Sequence, residues 1–270
     1  MRPRTARAAR LLASAAVVAV LALPAAGCKT TGDDTTGSIG ATDTPRSDAD
    51  WRRSLEVWGT RYRENPGDAE AAMAYARALR ATDQRAQAVA VLEQASIRNP
   101  RSMSLLGAYG RALAEAGNYP QALDALSRAH TPDQPDWRIL NAQGAVLDQM
   151  GRNAEAQRHY SAALKIVPNE PSVLSNLGLS YALMKDLKRA EVTLRRAVAQ
   201  PNADPKARQN LALVVGLQGR FAEAEKIARA DLPEDEAAAN VGTLRQMLSQ
   251  QNEWKKMGRR PYVPPPNAGT

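Results

Sequence analysis

Cysteine, histidine and aromatic residues are scarce in this chain of 270 residues. It contains one cysteine, two histidines and one phenylalanine, and aromatic residues make up 4% of the total. A single cysteine cannot form a disulfide within the chain. The shortage of aromatic residues, together with abundant Ala, Leu, Arg, Gln and Glu, predicts a helical protein without a β-sheet.

Motifs of enzyme and metal sites are also missing from the sequence. Neither histidine, His130 or His159, stands in an H-x3-H or H-E-x2-H pattern, and no C-x2-C, G-x4-G-K-[ST], G-x-S-x-G or G-x-G-x2-G motif occurs. We interpret both histidines as solvated surface residues. We therefore expect no enzyme activity, no metal and no cofactor. The alternative is an enzyme whose polar site forms only when the helices stack.

The acidic side chains follow a helical pattern and show no clustering typical of a catalytic site. The pattern places several of them on faces that we expect to be solvated, namely Glu115, Glu155, Glu191 and Glu223. We interpret these carboxylates as ordinary surface groups.

Positive charge exceeds negative charge, but half of the excess lies in the first ten residues. The formal net charge is +8, and the arginines of "MRPRTARAAR" contribute four of these charges. The remaining basic residues are scattered along the chain rather than grouped into a patch. We therefore expect no nucleic-acid partner.

The N-terminal 27 residues have the pattern of a secretory signal. A basic start is followed by the apolar run "LLASAAVVAVLAL", which is shorter than the about 20 residues that span a bilayer, and then by small residues. Ala25, Ala26 and Gly27 stand directly before Cys28. This arrangement is similar to a bacterial lipoprotein signal, in which Cys28 becomes the acylated N-terminus. The alternative is an ordinary secretory signal with an incidental cysteine.

Lipidation of Cys28 would anchor the mature chain to a membrane and leave it without a free thiol. Lys29 follows the cysteine, where lipoproteins kept in the inner membrane tend to carry Asp, so the resemblance implies the outer membrane. Residues 28–47 are rich in Thr, Gly, Asp and Ser, which predicts a flexible tether that holds the folded part away from the lipid.

The rest of the chain contains a repeat of 34 residues. Gly110, Gly144 and Gly178 are spaced by this period. Five alanines share it, at Ala88, Ala122, Ala156, Ala190 and Ala224. The period and the residue pattern are those of tetratricopeptide helix pairs, which predicts an all-α, right-handed superhelical solenoid. The predicted units are 69–102, 103–136, 137–170, 171–204 and 205–238.

The repeated small residues have a mechanical role in this interpretation. Gly or Ala in the first helix and Ala in the second allow the two helices of a unit to cross closely. Gly117, Gly151 and Gly219 fall at the turn between them, where a left-handed residue can end a helix. The first and last units are less regular, since Ala76 and Ala212 replace the glycine. In the last unit Asp231 also stands where a small residue is usual.

Both ends of the repeat array have candidate caps. Residues 48–66 predict an N-terminal capping helix, in phase with the second helix of a repeat, and residues 239–258 predict a C-terminal one. Residues 259–270, "RPYVPPPNAGT" preceded by Arg259, predict a disordered proline-rich tail. The tail is interpreted as a solvated end, and a docking peptide is the alternative.

A row of side chains on the first helices predicts a binding groove. Asn176 and Asn210 recur at one repeat period and can each donate and accept a hydrogen bond to the backbone of an extended peptide. The same row contains basic and apolar candidates, at Arg138, Asn141, Lys206, Leu179 and Leu213. The basic residues suit a carboxylate. The alternative is that the asparagines serve packing between repeats.

Residues 170–250 carry the closest family resemblance. The segment "RQNLALVVGLQGRFAEAEKIARADL", with the signal and tether before it, resembles the tetratricopeptide lipoprotein of the Flp, or tight-adherence, pilus assembly system. The resemblance implies a role in secreting and assembling pilus fibres from the periplasmic side of the outer membrane. It implies the outer-membrane secretin or its neighbours as partner. A general periplasmic adaptor for cell-wall enzymes or outer-membrane protein assembly is the alternative.

Overall fold

The computed structural model describes residues 47–257, and side chains as far as residue 250. The described chain forms the helices α1 (Asp48–Glu64), α2 (Ala69–Ala81), α3 (Arg85–Arg98), α4 (Met103–Glu115), α5 (Tyr119–Ser127), α6 (Trp137–Gln149), α7 (Asn153–Ile166), α8 (Pro171–Leu183), α9 (Leu187–Val198), α10 (Pro205–Leu217), α11 (Phe221–Ala228) and α12 (Glu234–Met257). No strand occurs between residues 47 and 257, so the predicted all-α class is confirmed. The signal peptide, Cys28, nearly all of the tether and the tail at 259–270 lie outside the described residues.

Ten of the helices form five consecutive antiparallel pairs. We call the first helix of each pair an A helix (α2, α4, α6, α8 and α10) and the second a B helix (α3, α5, α7, α9 and α11). Each A helix packs against the B helix of its own pair and against the A helix of the next pair. Helix α1 packs against α2, and α12 covers α10 and α11. The A helices therefore lie side by side along one face of the stack.

The two helices of each central pair cross where the A helix has a glycine. A Cβ atom on Gly144 would lie 2.5 Å from Cε1 of Tyr160, and one on Gly178 would lie 2.6 Å from Cγ of Leu194. Gly110 is equally close to Leu126, at 2.6 Å. Since real Cβ contacts are longer than this, the large B-helix side chain occupies the space that an A-helix side chain would need. The predicted role of the repeated glycines is confirmed.

The turn inside each pair needs a residue in the left-handed region. Gly117, Gly151 and Gly219 occupy it with φ of +80°, +74° and +84°. The same turn position is held by Asp83 and Lys185, with φ of +60° and +64°. A side chain makes this conformation about 1–2 kcal/mol less favourable than it is for glycine. Two of the five turns therefore keep their shape against a local cost, because the packed helices on either side fix it.

Helix α12 begins at Glu234, earlier than the predicted start at residue 239. Three acidic residues fill its first turn directly after Pro233, which suits the positive end of the helix dipole. One face buries Ala237, Val241 and Leu244 against the last pair. In the part of the chain that the structure describes, no helix is both long and apolar enough to cross a membrane.

Replacing Lys185 with glycine should stabilise the protein. The change Lys185→Gly removes the Cβ strain at φ +64° but gives the unfolded chain more freedom, so we expect a net gain of about 0.5–1 kcal/mol in the free energy of unfolding. Urea denaturation followed by circular dichroism measures it. The matched control is Lys188→Gly, at an exposed helical position three residues away, which should lose about 1 kcal/mol. Equal losses in both variants would show that the turn is not strained.

Candidate functional site: the inner face of the helical stack

The A helices present one row of residues along the face where they lie side by side. Positions 2, 5, 6, 9 and 12 of each unit share one side of a helix, because residues three and four apart are neighbours on its surface. We call the surface made by these positions of α2, α4, α6, α8 and α10 the inner face. All seven predicted groove residues lie on it: Arg138 and Asn141 on α6, Asn176 and Leu179 on α8, and Lys206, Asn210 and Leu213 on α10.

The asparagines of the inner face bond to neighbouring A helices. Nδ2 of Asn176 donates to Oδ1 of Asn141 at 3.0 Å, and Nδ2 of Asn210 donates to Oγ of Ser175 at 3.0 Å. Asn141 is only 3% exposed, so its carbonyl oxygen depends on this bond. The structure thus shows the packing role that was the alternative interpretation. Asn176 and Asn210 remain half-buried, and their use by a partner stays a prediction.

The bonded residues are separated by 35 positions rather than by the 34 of the repeat. The spacing holds for Asn141 with Asn176 and for Ser175 with Asn210. A third pair with the same spacing joins Arg80 to Glu115, whose Nε to Oε2 distance is 2.6 Å. A polar side chain on one A helix therefore meets the residue one period and one step further on. Sequence reasoning at 34 residues missed the pairing, although complementary polar residues at 35 are its signal.

A second polar cluster ties the same two repeats together below the inner face. Asp148 of α6 accepts hydrogen bonds from Ser180 of α8 at 2.8 Å, Asn153 at 2.8 Å and the Tyr160 hydroxyl at 3.0 Å. Burial raises the pKa of Asp148, and the three donors partly oppose that shift. The carboxyl group is shared by three helices, so it fixes the angle between units rather than binding a ligand.

The other groove candidates remain at the surface of the inner face. The guanidinium of Arg138 lies over the Trp137 ring, 4.5 Å from its centroid. Leu179 and Leu213 are half-buried. Neither belongs to a core cluster of the described residues or packs against one. Lys206 is exposed at the start of α10, where the first turn is capped by Asp204. These side chains are positioned to meet a partner.

The interpretation of the two histidines as solvated residues is wrong. Both His130 and His159 are half-buried, and Nδ1 of His130 is buried with no hydrogen-bond partner among the described residues. Burial lowers the pKa of His159, and the positive charge of His130 lowers it further. The two rings lie close together because the end of the second unit packs on the third. Between residues 47 and 250 no group of three or more potential metal ligands accompanies them.

The expectation that the helical carboxylates are solvated is wrong for two of them. The side chain of Glu115 is 12% exposed and forms the ion pair with Arg80, while that of Glu191 is 15% exposed. Glu191 accepts from Arg195 at 2.6 Å, from Gln218 at 2.8 Å and from Arg220 at 2.8 Å. Burial alone would raise its pKa, but these donors together hold the pKa of Glu191 at about 2. This network joins α9 to the last repeat.

Two residues of the last repeat that depart from the usual pattern form a pair. Asp231 was noted as irregular, and Arg208 stands where the other central units have leucine. Nε of Arg208 donates to Oδ2 of Asp231 at 2.7 Å, and the Asp231 side chain is 11% exposed. An ion pair thus replaces the apolar contact of the other units. Each residue alone looked like an error in the repeat, and only their proximity explains them.

A family comparison agrees with this architecture. The model of the tetratricopeptide repeat matches residues 76–136 and 141–205, which include parts of the first four pairs. The chain is a tetratricopeptide-repeat protein. Such proteins stack helix pairs so that each repeat contacts only its neighbours and one extended surface is left for binding. No curated protein sequence matches the chain.

Solved structures of low sequence identity share the fold. PilW, titled a widely conserved type IV pilus biogenesis factor, has a TM-score of 0.63 at 16% identity, with 72% of this chain and 91% of that chain covered. PilF of Pseudomonas aeruginosa has a TM-score of 0.54 at 16% identity, covering 78% and 90%. The APC/C hetero-tetramer Cut9-Hcn1 has a TM-score of 0.62 at 15% identity, covering 75% of this chain. This chain spans only 40% of that structure's chain. These likenesses show the fold alone.

Removing the inner-face asparagines should destabilise the protein, contrary to the expectation from sequence that melting would not change. Asn176→Ala leaves the buried carbonyl oxygen of Asn141 without its donor, which costs about 1–3 kcal/mol of unfolding free energy. Asn210→Ala should cost less, about 0.5–1.5 kcal/mol, because the Ser175 hydroxyl can turn to a backbone carbonyl of its own helix. Urea denaturation measures both.

The control for these variants is Gln209→Ala, at an exposed position beside Asn210 on α10. It should change the unfolding free energy by less than about 0.5 kcal/mol. If Asn176→Ala behaved like Gln209→Ala, the bond to Asn141 would have no structural importance.

The Glu191 network should make stability fall in acid. The folded-state pKa is lowered from 4.5 to about 2, so the network contributes fully above pH 4.5 and its contribution is lost as the pH falls toward 2. Glu191→Gln should therefore flatten the dependence of the melting temperature on pH across this window. Calorimetry between these pH values measures it. The exposed Glu56 of α1 supplies the control, because Glu56→Gln should leave the slope unchanged. Identical slopes in wild type and Glu191→Gln would contradict the assignment.

Proposed function

We propose that this protein is a non-enzymatic, lipid-anchored outer-membrane scaffold that binds a partner protein on its inner face during assembly of Flp pili. The observation that carries the proposal is the inner face itself. Arginines, half-buried asparagines and unpacked leucines follow one another there along five A helices. A surface of this kind suits an extended protein segment better than a small molecule, because polar and apolar contacts are spread along its length.

The pilus assignment has two sources of support. The sequence of residues 170–250 resembles the Flp pilus lipoprotein, and the fold is shared with PilW and PilF, whose titles name pilus biogenesis and pilF. The partner would be the outer-membrane secretin or a neighbouring component of the assembly. Cys28 would carry the lipid, and residues 28–47 would link it to α1.

The second candidate is a general periplasmic adaptor for cell-wall enzymes or outer-membrane protein assembly. It is favoured by the likeness to Cut9-Hcn1, whose title describes a subunit assembly rather than a pilus factor. The two candidates share the inner face and differ in what binds there.

Affinity capture from the cell envelope should recover pilus components. The tagged wild-type protein, solubilised in detergent, is expected to retain the secretin or its neighbours, as identified by mass spectrometry. A variant with Leu179→Gln and Leu213→Gln should lose them, because both unpacked leucines of the inner face are then polar. The matched control is Ile166→Gln with Val192→Gln, since these are exposed residues of α7 and α9 on B helices.

Two outcomes would count against the proposal. Recovery of cell-wall enzymes or barrel-assembly proteins without any pilus component would favour the general adaptor. Equal capture by the inner-face and B-helix variants would remove the inner face from the interaction. The Cys28→Ser variant tests the anchor separately, and we expect it to leave the membrane fraction.

A further inference from the structure

The inner face is divided into two chemically different halves. Its first three units carry arginines, at Arg77, Arg111 and Arg138. Its last two units carry leucines at the position where the first two have arginine, since Leu179 and Leu213 occupy position 9 of their units as Arg77 and Arg111 do. One face therefore changes from cationic to aliphatic along the stack.

The arginines lie over the first half of the face rather than beside it. Arg77 is exposed on α2, and Arg111 occupies the same place on the neighbouring α4. Nη1 of Arg111 is 3.5 Å from the point where Gly107 would have a Cβ, and Cδ1 of Ile139 on α6 is 2.7 Å from that same point. The Arg111 guanidinium thus sits where α4 meets α6. The absence of a side chain at Gly107 leaves the backbone there open to close approach.

Arg138 adds a third positive charge on the far side of this junction. Its guanidinium is held against the Trp137 ring at 4.5 Å from the centroid. Its Nε is buried and has no hydrogen-bond partner among the described residues. A buried donor of this kind is stabilised when a ligand supplies an acceptor.

Few acidic groups oppose these charges on the first half of the face. Glu115 is engaged with Arg80. Asp148 is held by three donors beneath the face. Glu70 is exposed at the outer end of the row, at the start of α2. The first three units therefore present a net positive surface to whatever lies along them.

We infer that the inner face takes an extended protein segment with acidic residues over α2, α4 and α6 and aliphatic residues over α8 and α10. The inference rests on the proposed function and specifies the chemistry of the partner. Neighbouring A helices are about 8–10 Å apart, so the five of them span about 35–40 Å. An extended chain of about 11–12 residues covers that distance.

Labelled synthetic peptides test the inference on the purified full-length chain in detergent. The probe has about 12 residues, with alternating Glu in one half and alternating Leu in the other. Both chain directions are made, since the contacts do not fix the direction. Fluorescence anisotropy should show binding of at least one direction, which weakens as NaCl rises from roughly 50 mM to roughly 500 mM. A peptide with Lys in place of Glu should bind at least about tenfold more weakly.

Arginine variants locate the acidic half. Arg77→Gln with Arg111→Gln should raise the Kd for the Glu–Leu peptide about tenfold or more and reduce its dependence on salt. The matched control removes the same two charges from exposed B-helix positions, with Arg98→Gln and Arg158→Gln, and should leave the Kd within about twofold. Because Arg111 is partly buried, Arg77→Gln and Arg138→Gln are also measured singly, each with circular dichroism to verify folding.

The results distinguish this inference from the proposed function. No binding of either Glu–Leu peptide, or an equal effect of the inner-face and B-helix pairs, would overturn the inference. If the inner-face arginine variants still captured pilus components, the acidic half would be wrong while the pilus role would stand. If the peptides bound as expected but no pilus component were captured, the chemistry of the face would stand and the pilus role would fail.

Discussion

The close crossing of two helices within each pair is the constraint on which the rest of the structure depends. At Gly110, Gly144 and Gly178 the A helix leaves room for one large B-helix side chain, and no other residue leaves that space open. The crossing fixes the depth of a pair and the angle of its helices. Since every central pair has the same depth, pairs stack in one register and the A helices lie next to each other. The inner face is a consequence of that register.

Stacking in this register brings polar side chains on neighbouring A helices into hydrogen-bonding distance. The pairs Arg80 with Glu115 and Asn141 with Asn176 are each separated by 35 residues, so the same geometric relation recurs in different parts of the stack. These bonds use buried polar groups that would otherwise be unsatisfied. They hold repeats together, and the side chains left over on the inner face are the ones available to a partner.

Irregular repeats keep the fold through paired changes rather than through the common residues. In the last unit the ion pair of Arg208 with Asp231 replaces an apolar contact. In the turn of the fourth unit Lys185 keeps a left-handed conformation that other units give to glycine. The Glu191 network then links this unit to the last one through Arg220 and Gln218. A repeat can thus lose its signature residues while its neighbours determine its shape.

The sequence by itself determined the helix pairs, their number and the position of each crossing, because a period of 34 residues and the need for small residues are local properties of the chain. It also identified the row of candidate binding residues, since helical spacing alone places positions three and four apart on one side. Only the tertiary structure decided what each polar residue does. Whether Asn176 faces a partner or Asn141, whether Glu191 is solvated, and whether His130 is buried all depend on the offset between neighbouring repeats. That offset arises from packing between units, and no single unit contains it.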